Sequence, residues 1–271
     1  MSFKLTSIAI ASLLAANLVA AQTAAPAAPA APEPSYTMSY NLGVTSDYRY
    51  RGISQSRLKP ALQGGADYAN KNGFYLGTWA STIKWIKDTG LAQTPIVDVG
   101  SSPLEVDVYG GYKFDAAKDL TLDFGALQYW YPGNKLTNVT GSSNANTLEF
   151  YGAATYQVFT AKYSRSQGTL FGAGTGVTAS KGSGYLDLSA TFDLGNSYSL
   201  VPHIGNQGVK NNPNLSYTDY SLTLNKDING LVLSGAYVAA NTKNAGGYSY
   251  ASPDGKNLGK GAIVVSLKKN F

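Results

Sequence analysis

The chain has 271 residues with 20 Tyr, 30 Gly, 14% charged residues, no Cys and a formal net charge of +5. The missing thiols exclude a disulfide framework, a thiolate metal site and a Cys nucleophile, and so small a charge without basic runs argues against a nucleic-acid partner. Abundant Tyr and Gly suit strands and turns better than helices.

Residues 1–21 carry Lys4, an apolar run from Ile8 to Ala20, and the small-residue pattern Val19-x-Ala21 before Gln22. This predicts a removable secretory signal peptide and export. The run is too short, and too interrupted by Ser12 and Asn17, to read as a membrane-spanning helix. Residues 22–36 are rich in Ala and Pro, and Pro26, Pro29, Pro32 and Pro34 predict an extended periplasmic linker.

From Ser39 to Gly52 the chain alternates with a period of two, which predicts one two-faced strand. Tyr40, Leu42, Val44, Tyr48 and Tyr50 form the apolar face; Asp47, Arg49 and Arg51 lie on the polar one. Further strands are expected from Ala61 to Ala69 and from Phe74 to Ser81, before a long polar segment from Thr82 to Pro103. From Leu104 to Phe114 the alternation is clearest, with Glu105, Asp107 and Lys113 opposite Val106, Val108 and Phe114. Leu120 to Tyr131 sets Asp123 and Tyr129 opposite Leu122, Phe124 and Trp130, and Thr147 to Tyr156 sets Glu149 opposite Leu148 and Phe150.

Thr160 to Gln167 has ambiguous faces, and Gly168 to Gly182 reads as a Gly-rich flexible loop. Gly184 to Asp193 restores the pattern around Asp187. Tyr198 to Gly205 contains His203 but is demoted by Pro202, which cannot donate to a ladder. Tyr217 to Leu224, with Asp219, then Leu231 to Ala240, and Gly261 to Phe271 complete about twelve strands. No stretch reads as an amphipathic helix.

Short gaps alternate with longer ones along the chain. That segregation predicts an all-β fold over residues 37–271: a transmembrane antiparallel β-barrel with short periplasmic turns and longer extracellular loops, in the outer membrane of a Gram-negative bacterium. In such a barrel the apolar faces meet lipid, and Tyr48, Tyr50, Tyr68, Tyr112, Phe114 and Trp130 would form interfacial girdles. A final strand bearing Ile263, Val265 and Leu267 and ending at Phe271 resembles the C-terminal assembly pattern of these barrels.

The run from Asn41 to Gly52, together with Gln63 to Tyr68, Gly73 to Trp79, Glu105 to Tyr112 and Tyr129 to Gly133, resembles the TorF-type porin family of proteobacteria, also called the Gcw family. The resemblance covers most of the chain after the linker. It implies an outer-membrane barrel and assigns no catalytic residue.

With the polar faces inward, Asp47, Arg49, Arg51, Asp67, Glu105, Asp107, Lys113, Asp123, Tyr129, Glu149, Asp187 and Asp219 are the candidate pore-lining residues. The expected function is passive diffusion of small hydrophilic solutes or ions, without enzymatic activity, cofactor or metal. Two alternatives stay open. A non-conducting structural or adhesive barrel would use the same charges to satisfy one another, and a barrel hydrolase would need His203, the single His, although no G-x-S-x-G signature accompanies it. The run from Gly172 to Gly176 lacks phosphate-loop spacing, and no EF-hand spacing is present. Arg57, Lys59, Lys84, Lys87, Lys135, Lys181, Lys210, Lys243, Lys256 and Lys260 fall in the longer loops, where a basic rim would face lipopolysaccharide phosphates or simply solvent.

Overall fold

The computed structural model describes residues 34–244 and 247–271, so the expected signal peptide and most of the expected linker lie outside the described residues. Twelve long strands are described: β1 (Tyr36–Thr45), β2 (Ala61–Asn70), β3 (Phe74–Thr82), β4 (Leu104–Ala117), β5 (Leu120–Trp130), β6 (Thr147–Tyr156), β7 (Phe159–Ser166), β8 (Gly184–Ala190, resumed as Phe192–Gly195), β9 (Tyr198–Gly208), β10 (Tyr217–Ile228), β11 (Leu231–Ala240) and β12 (Ala262–Asn270). Each pairs antiparallel with its sequence neighbours, and β12 pairs with β1 from Asn41↔Asn270 to Thr45↔Ser266, which closes the barrel. Phe271 extends that seam: its N–H donates to the Tyr40 carbonyl at 2.9 Å and its carbonyl accepts from Tyr40 at 3.2 Å.

Closure leaves no sheet edge, so the spanning backbone groups pair between strands and need no water. A strand of about ten residues is about 33 Å long and, tilted by about 40°, crosses about 25 Å, the height of an apolar membrane belt. The outward residues match that solvent. Leu42, Leu62, Leu76, Phe124, Phe150, Ile204, Leu222 and Ile263 are all about half exposed or more on the barrel exterior, while their sequence neighbours turn inward.

Turns of two or three residues at 71–73, 118–119, 157–158, 196–197 and 229–230 occupy one rim, together with the start of β1 and the end of β12. The turn at Gln157 and Val158 lacks Gly, Pro, Asn and Asp; Gln157 itself takes φ 53°. Segments 46–60, 83–103, 131–146, 167–183, 209–216 and 241–261 connect the strands at the other rim.

Pro202 lies within a central strand, paired to β10 at Leu222 and flanked by β8 on its other side. The sheet accommodates it by breaking β8 at Thr191, between Ala190 and Phe192. The β8–β9 ladder runs from Gly184↔Gly208 to Ser189↔His203 and resumes at Phe192↔Leu200, so it skips the position opposite Ala190 where proline has no donor.

The packed core sits inside the barrel at the long-loop end. Ile83, Ile86, Val99, Leu136, Val139 and Ala145 from two loops are buried against Tyr48, Tyr129 and Tyr131. The loop between β3 and β4 contains the helix α1 (Trp85–Leu91), with Ile86 fully buried, correcting the expectation that the chain has no helix. The Gly-rich loop after β7 also packs inward: Leu170 is buried and Phe171 meets Tyr50 and Tyr129 edge-on, with ring centroids 5.5 and 5.1 Å away.

Candidate functional site: a constriction in the barrel lumen

The predicted opening strand does not run to Gly52. It ends at Thr45, and the chain leaves the wall at Ser46, whose N–H donates to the Val265 carbonyl at 2.9 Å. Arg49–Tyr50 and Ile53–Ser54 then pair as a small hairpin, with Arg51 and Gly52 as its two-residue turn at φ 45° and 79°. Positive φ at both turn positions matches the right-handed twist of a tight hairpin. Gly52 is required here, because a Cβ would lie 2.6 Å from the Asp219 Cβ. The hairpin therefore reaches the β10–β11 wall.

This path corrects the expected lipid contacts. Tyr40, Leu42 and Val44 face outward, but Tyr48 is 8% exposed inside the barrel and Tyr50 packs there on Tyr129. Tyr48 donates to Glu105 Oε1 at 2.5 Å, and Tyr131 donates to Glu105 Oε2 at 2.7 Å. Burial, followed by the adjacent Glu105 carboxylate, pushes both phenols well above the usual tyrosine value and keeps them as donors. Glu105 thus ties the inward loop to β4 and to the loop after β5.

Asp47 and the arginines hold the hairpin. Asp47 accepts from Arg49 Nε at 2.5 Å, from Ser54 Oγ at 2.5 Å and from Ser56 Oγ at 3.2 Å. Arg49 Nη1 donates to the carbonyls of Gly52, Leu258 and Lys260 at 3.0, 2.9 and 3.1 Å, joining this hairpin to the loop before β12. Arg51 extends toward the far wall. Its Nη1 and Nη2 reach the two oxygens of Glu149 on β6 at 3.1 and 2.7 Å, and Nη1 also donates to Gln207 Oε1 on β9 at 2.6 Å. The guanidinium lies 4.1 Å from the Tyr185 ring centroid and 4.8 Å from that of Tyr50. Both side chains of the Arg51–Glu149 pair are more than nine-tenths buried, a setting in which bidentate geometry and ring stacking favour Arg over Lys.

The remaining candidates fall at two levels. Asp107, Tyr129 and Asp219 lie with Glu105 and Glu149 near the long-loop ends of their strands and are buried. Tyr129 shares a 2.7 Å hydrogen bond with Tyr50. Toward the short-turn rim, Tyr75 donates to Asp123 at 2.6 Å, Lys113 lies 4.0 Å from Asp123, and Tyr109 donates to Asp67 at 2.5 Å. Asp187 lies beside His203 Nε2 at 3.1 Å; His203 also meets Tyr185 Oη at 3.2 Å and lies 3.7 Å from Asp219.

Sequence reasoning did not nominate Lys162, Tyr185 and Gln207. Tyr185 was legible as the inward neighbour of Leu186, whereas Lys162 lies in a strand of ambiguous faces and Gln207 lies beyond the expected end of its strand.

The hairpin separates two spaces. An outer recess of about 370 Å³ opens among the long loops and is lined by Tyr50, Trp85, Tyr131, Phe171, Tyr217 and Tyr250, among others. A cavity of about 350 Å³ lies on the other side, with Arg49, Arg51, Lys162, Asp187, His203 and Asp219 in its lining. Tyr50 borders both.

A closed barrel with an apolar exterior, a polar interior, one rim of short turns and one of long loops is the architecture of the outer-membrane β-barrels. Residues 29–271 match the family described as "Bacterial protein of unknown function (Gcw_chp)", and the chain belongs to that family. Comparison with curated proteins returns no match. Among solved structures, the chain is similar in fold to the NanC porin, at 11% identity and a TM-score of 0.50 over 87% of this chain and 99% of that one. The KdgM porin aligns over 86% and 98% at 7% identity and a TM-score of 0.48. The outer membrane protein Omp33 of Acinetobacter baumannii aligns over 87% and 97% at 9% identity and a TM-score of 0.45.

Proposed function

We propose that the protein is a porin-like channel of the bacterial outer membrane that passes small hydrophilic solutes or ions through a charged constriction. One observation carries this reading: a polar cavity and an outer recess are separated by a hairpin held to the far wall by the Arg51–Glu149 ion pair and hydrogen bonds. The short-turn rim belongs on the periplasmic side by the rule for such barrels. Asp47, Arg49, Arg51, Glu105, Asp107, Tyr129, Glu149 and Asp219 then surround the narrow level, and Lys113, Asp123 and Asp187 line the path below it. The resemblance to TorF-type porins supports the same reading.

A second reading has its own support, because the buried Glu105–Tyr48–Tyr131 contacts favour a stably blocked lumen. Planar-bilayer recording separates the two. The channel reading expects small, discrete conductance steps from protein whose folding is checked by heat-dependent gel mobility. Folded protein that never conducts defeats it in favour of a structural barrel.

A further inference from the structure

We propose that the cavity beneath the hairpin is a binding site for a small hydroxylated solute carrying one carboxylate. At about 350 Å³, against about 30 Å³ per water in the liquid, it has room for a solute of several heavy atoms and lies in the size range of ligand pockets. The proposal rests on the channel reading for its physiological meaning and adds the class of solute, but binding is measurable without any current.

The cationic edge has donors to spare. Arg49 has a side chain only 4% exposed, with Nε on Asp47 and Nη1 on three carbonyls, while its Nη2 has no hydrogen-bond partner. A buried guanidinium nitrogen left unpaired is costly, and an anionic oxygen that the side chain turns slightly to meet would relieve it. Lys162 lines the same cavity. It sits directly opposite Asp187 in the β7–β8 register, yet its ammonium lies 3.8 Å from the Tyr151 ring centroid, and Asp187 is engaged by His203 instead. Arg51, by contrast, is already filled by Glu149 and Gln207. Two cations with unused donor capacity therefore border one cavity.

The opposite edge sets the charge of the guest. Asp187, His203, Tyr185 and Asp219 form a hydrogen-bonded network of their own, with Tyr185 donating to Asp219 at 3.1 Å. Its carboxylates repel a second negative charge, which favours a monoanion over hydrogen phosphate. Ser164 and Ser221 in the lining offer hydroxyls to the rest of the solute.

The test is isothermal titration of sodium lactate, and separately of sodium phosphate, into the full chain folded in detergent micelles. The expected result is saturable lactate binding, weaker phosphate binding, a loss of lactate affinity of about tenfold or more in Lys162→Met, and retention in Lys162→Arg. Lys162→Gln serves in place of Lys162→Met if that variant does not fold. Absence of lactate binding by the wild type, unchanged affinity on loss of the ammonium, or phosphate binding at least as tight as lactate would overturn the site. A non-conducting protein that still binds lactate removes the channel reading and leaves the site standing; a conducting protein that does not bind lactate removes the site alone.

Discussion

Arg51 occupies a backbone position that disfavours it. A non-glycine residue in the left-handed region costs about 1–2 kcal/mol, and at φ 45° Arg51 has no local compensation of the kind Asn would bring. Its guanidinium supplies the offset through Glu149, Gln207 and the Tyr185 ring. Arg51→Asn therefore separates the two effects, because Asn suits the turn but cannot reach across the lumen. Removing one partner of a buried pair costs about 3–5 kcal/mol, and here part of that cost would be escaped by the hairpin leaving the lumen and letting water reach Glu149. The expected outcome is a folded barrel with larger unitary conductance in planar bilayers. An unchanged conductance would show that the ion pair does not hold the constriction.

At the scale of elements, the inward loop and the wall are held by different chemistry, and pH distinguishes them. Tyr48 and Tyr131 have phenols raised well above their ordinary value, first by burial and then by Glu105. The stability that each contributes is fully present below the unfolded tyrosine value of about 10 and is lost as pH rises through the raised folded value. Alkaline titration should therefore free the loop before the backbone-paired barrel opens. Tyrosinate absorbance followed alongside protease cleavage within 46–60 checks this, with protection of the loop persisting after these phenols ionise as the contrary result. The strands were legible in the sequence because lipid and lumen impose opposite chemistry on alternate residues, as at Leu148, Glu149 and Phe150. The hairpin was not, because Tyr48 and Tyr50 continue the parity of Val44 after the chain has left the sheet at Ser46. A turn-forming Arg51-Gly52 was the available sign. Helix α1 spans Trp85–Leu91, too short for helical periodicity to declare itself, and its fully buried Ile86 sits beside Trp85 and three residues after Ile83 in a segment otherwise read as polar. The wall carboxylates could be found by parity, but their partners come from strands and loops up to 98 residues away, as for Glu149 and Arg51.

At the scale of the whole molecule, the two faces of the wall predict opposite tolerances. Leu222, near the middle of β10, is 49% exposed on the exterior, and Leu222→Arg should cost about 2–4 kcal/mol of folding stability in lipid. Thr223→Arg, on the inward side of the same strand, should cost less and alter ion selectivity. Denaturant titration in lipid vesicles compares them; equal losses would place the lipid boundary elsewhere. The seam between β1 and β12, with Phe271 locked to Tyr40, has a further consequence for assembly. Every other wall contact joins strands that follow one another, so those hairpins can form locally as the chain arrives. The seam joins partners separated by nearly the whole barrel and carries the largest loop-closure entropy. Until it forms, β1 and β12 each present an open row of amides that hydrocarbon cannot satisfy. Insertion and sealing must therefore be completed together, and any factor that escorts this protein into the membrane has to shield those two edges until they meet.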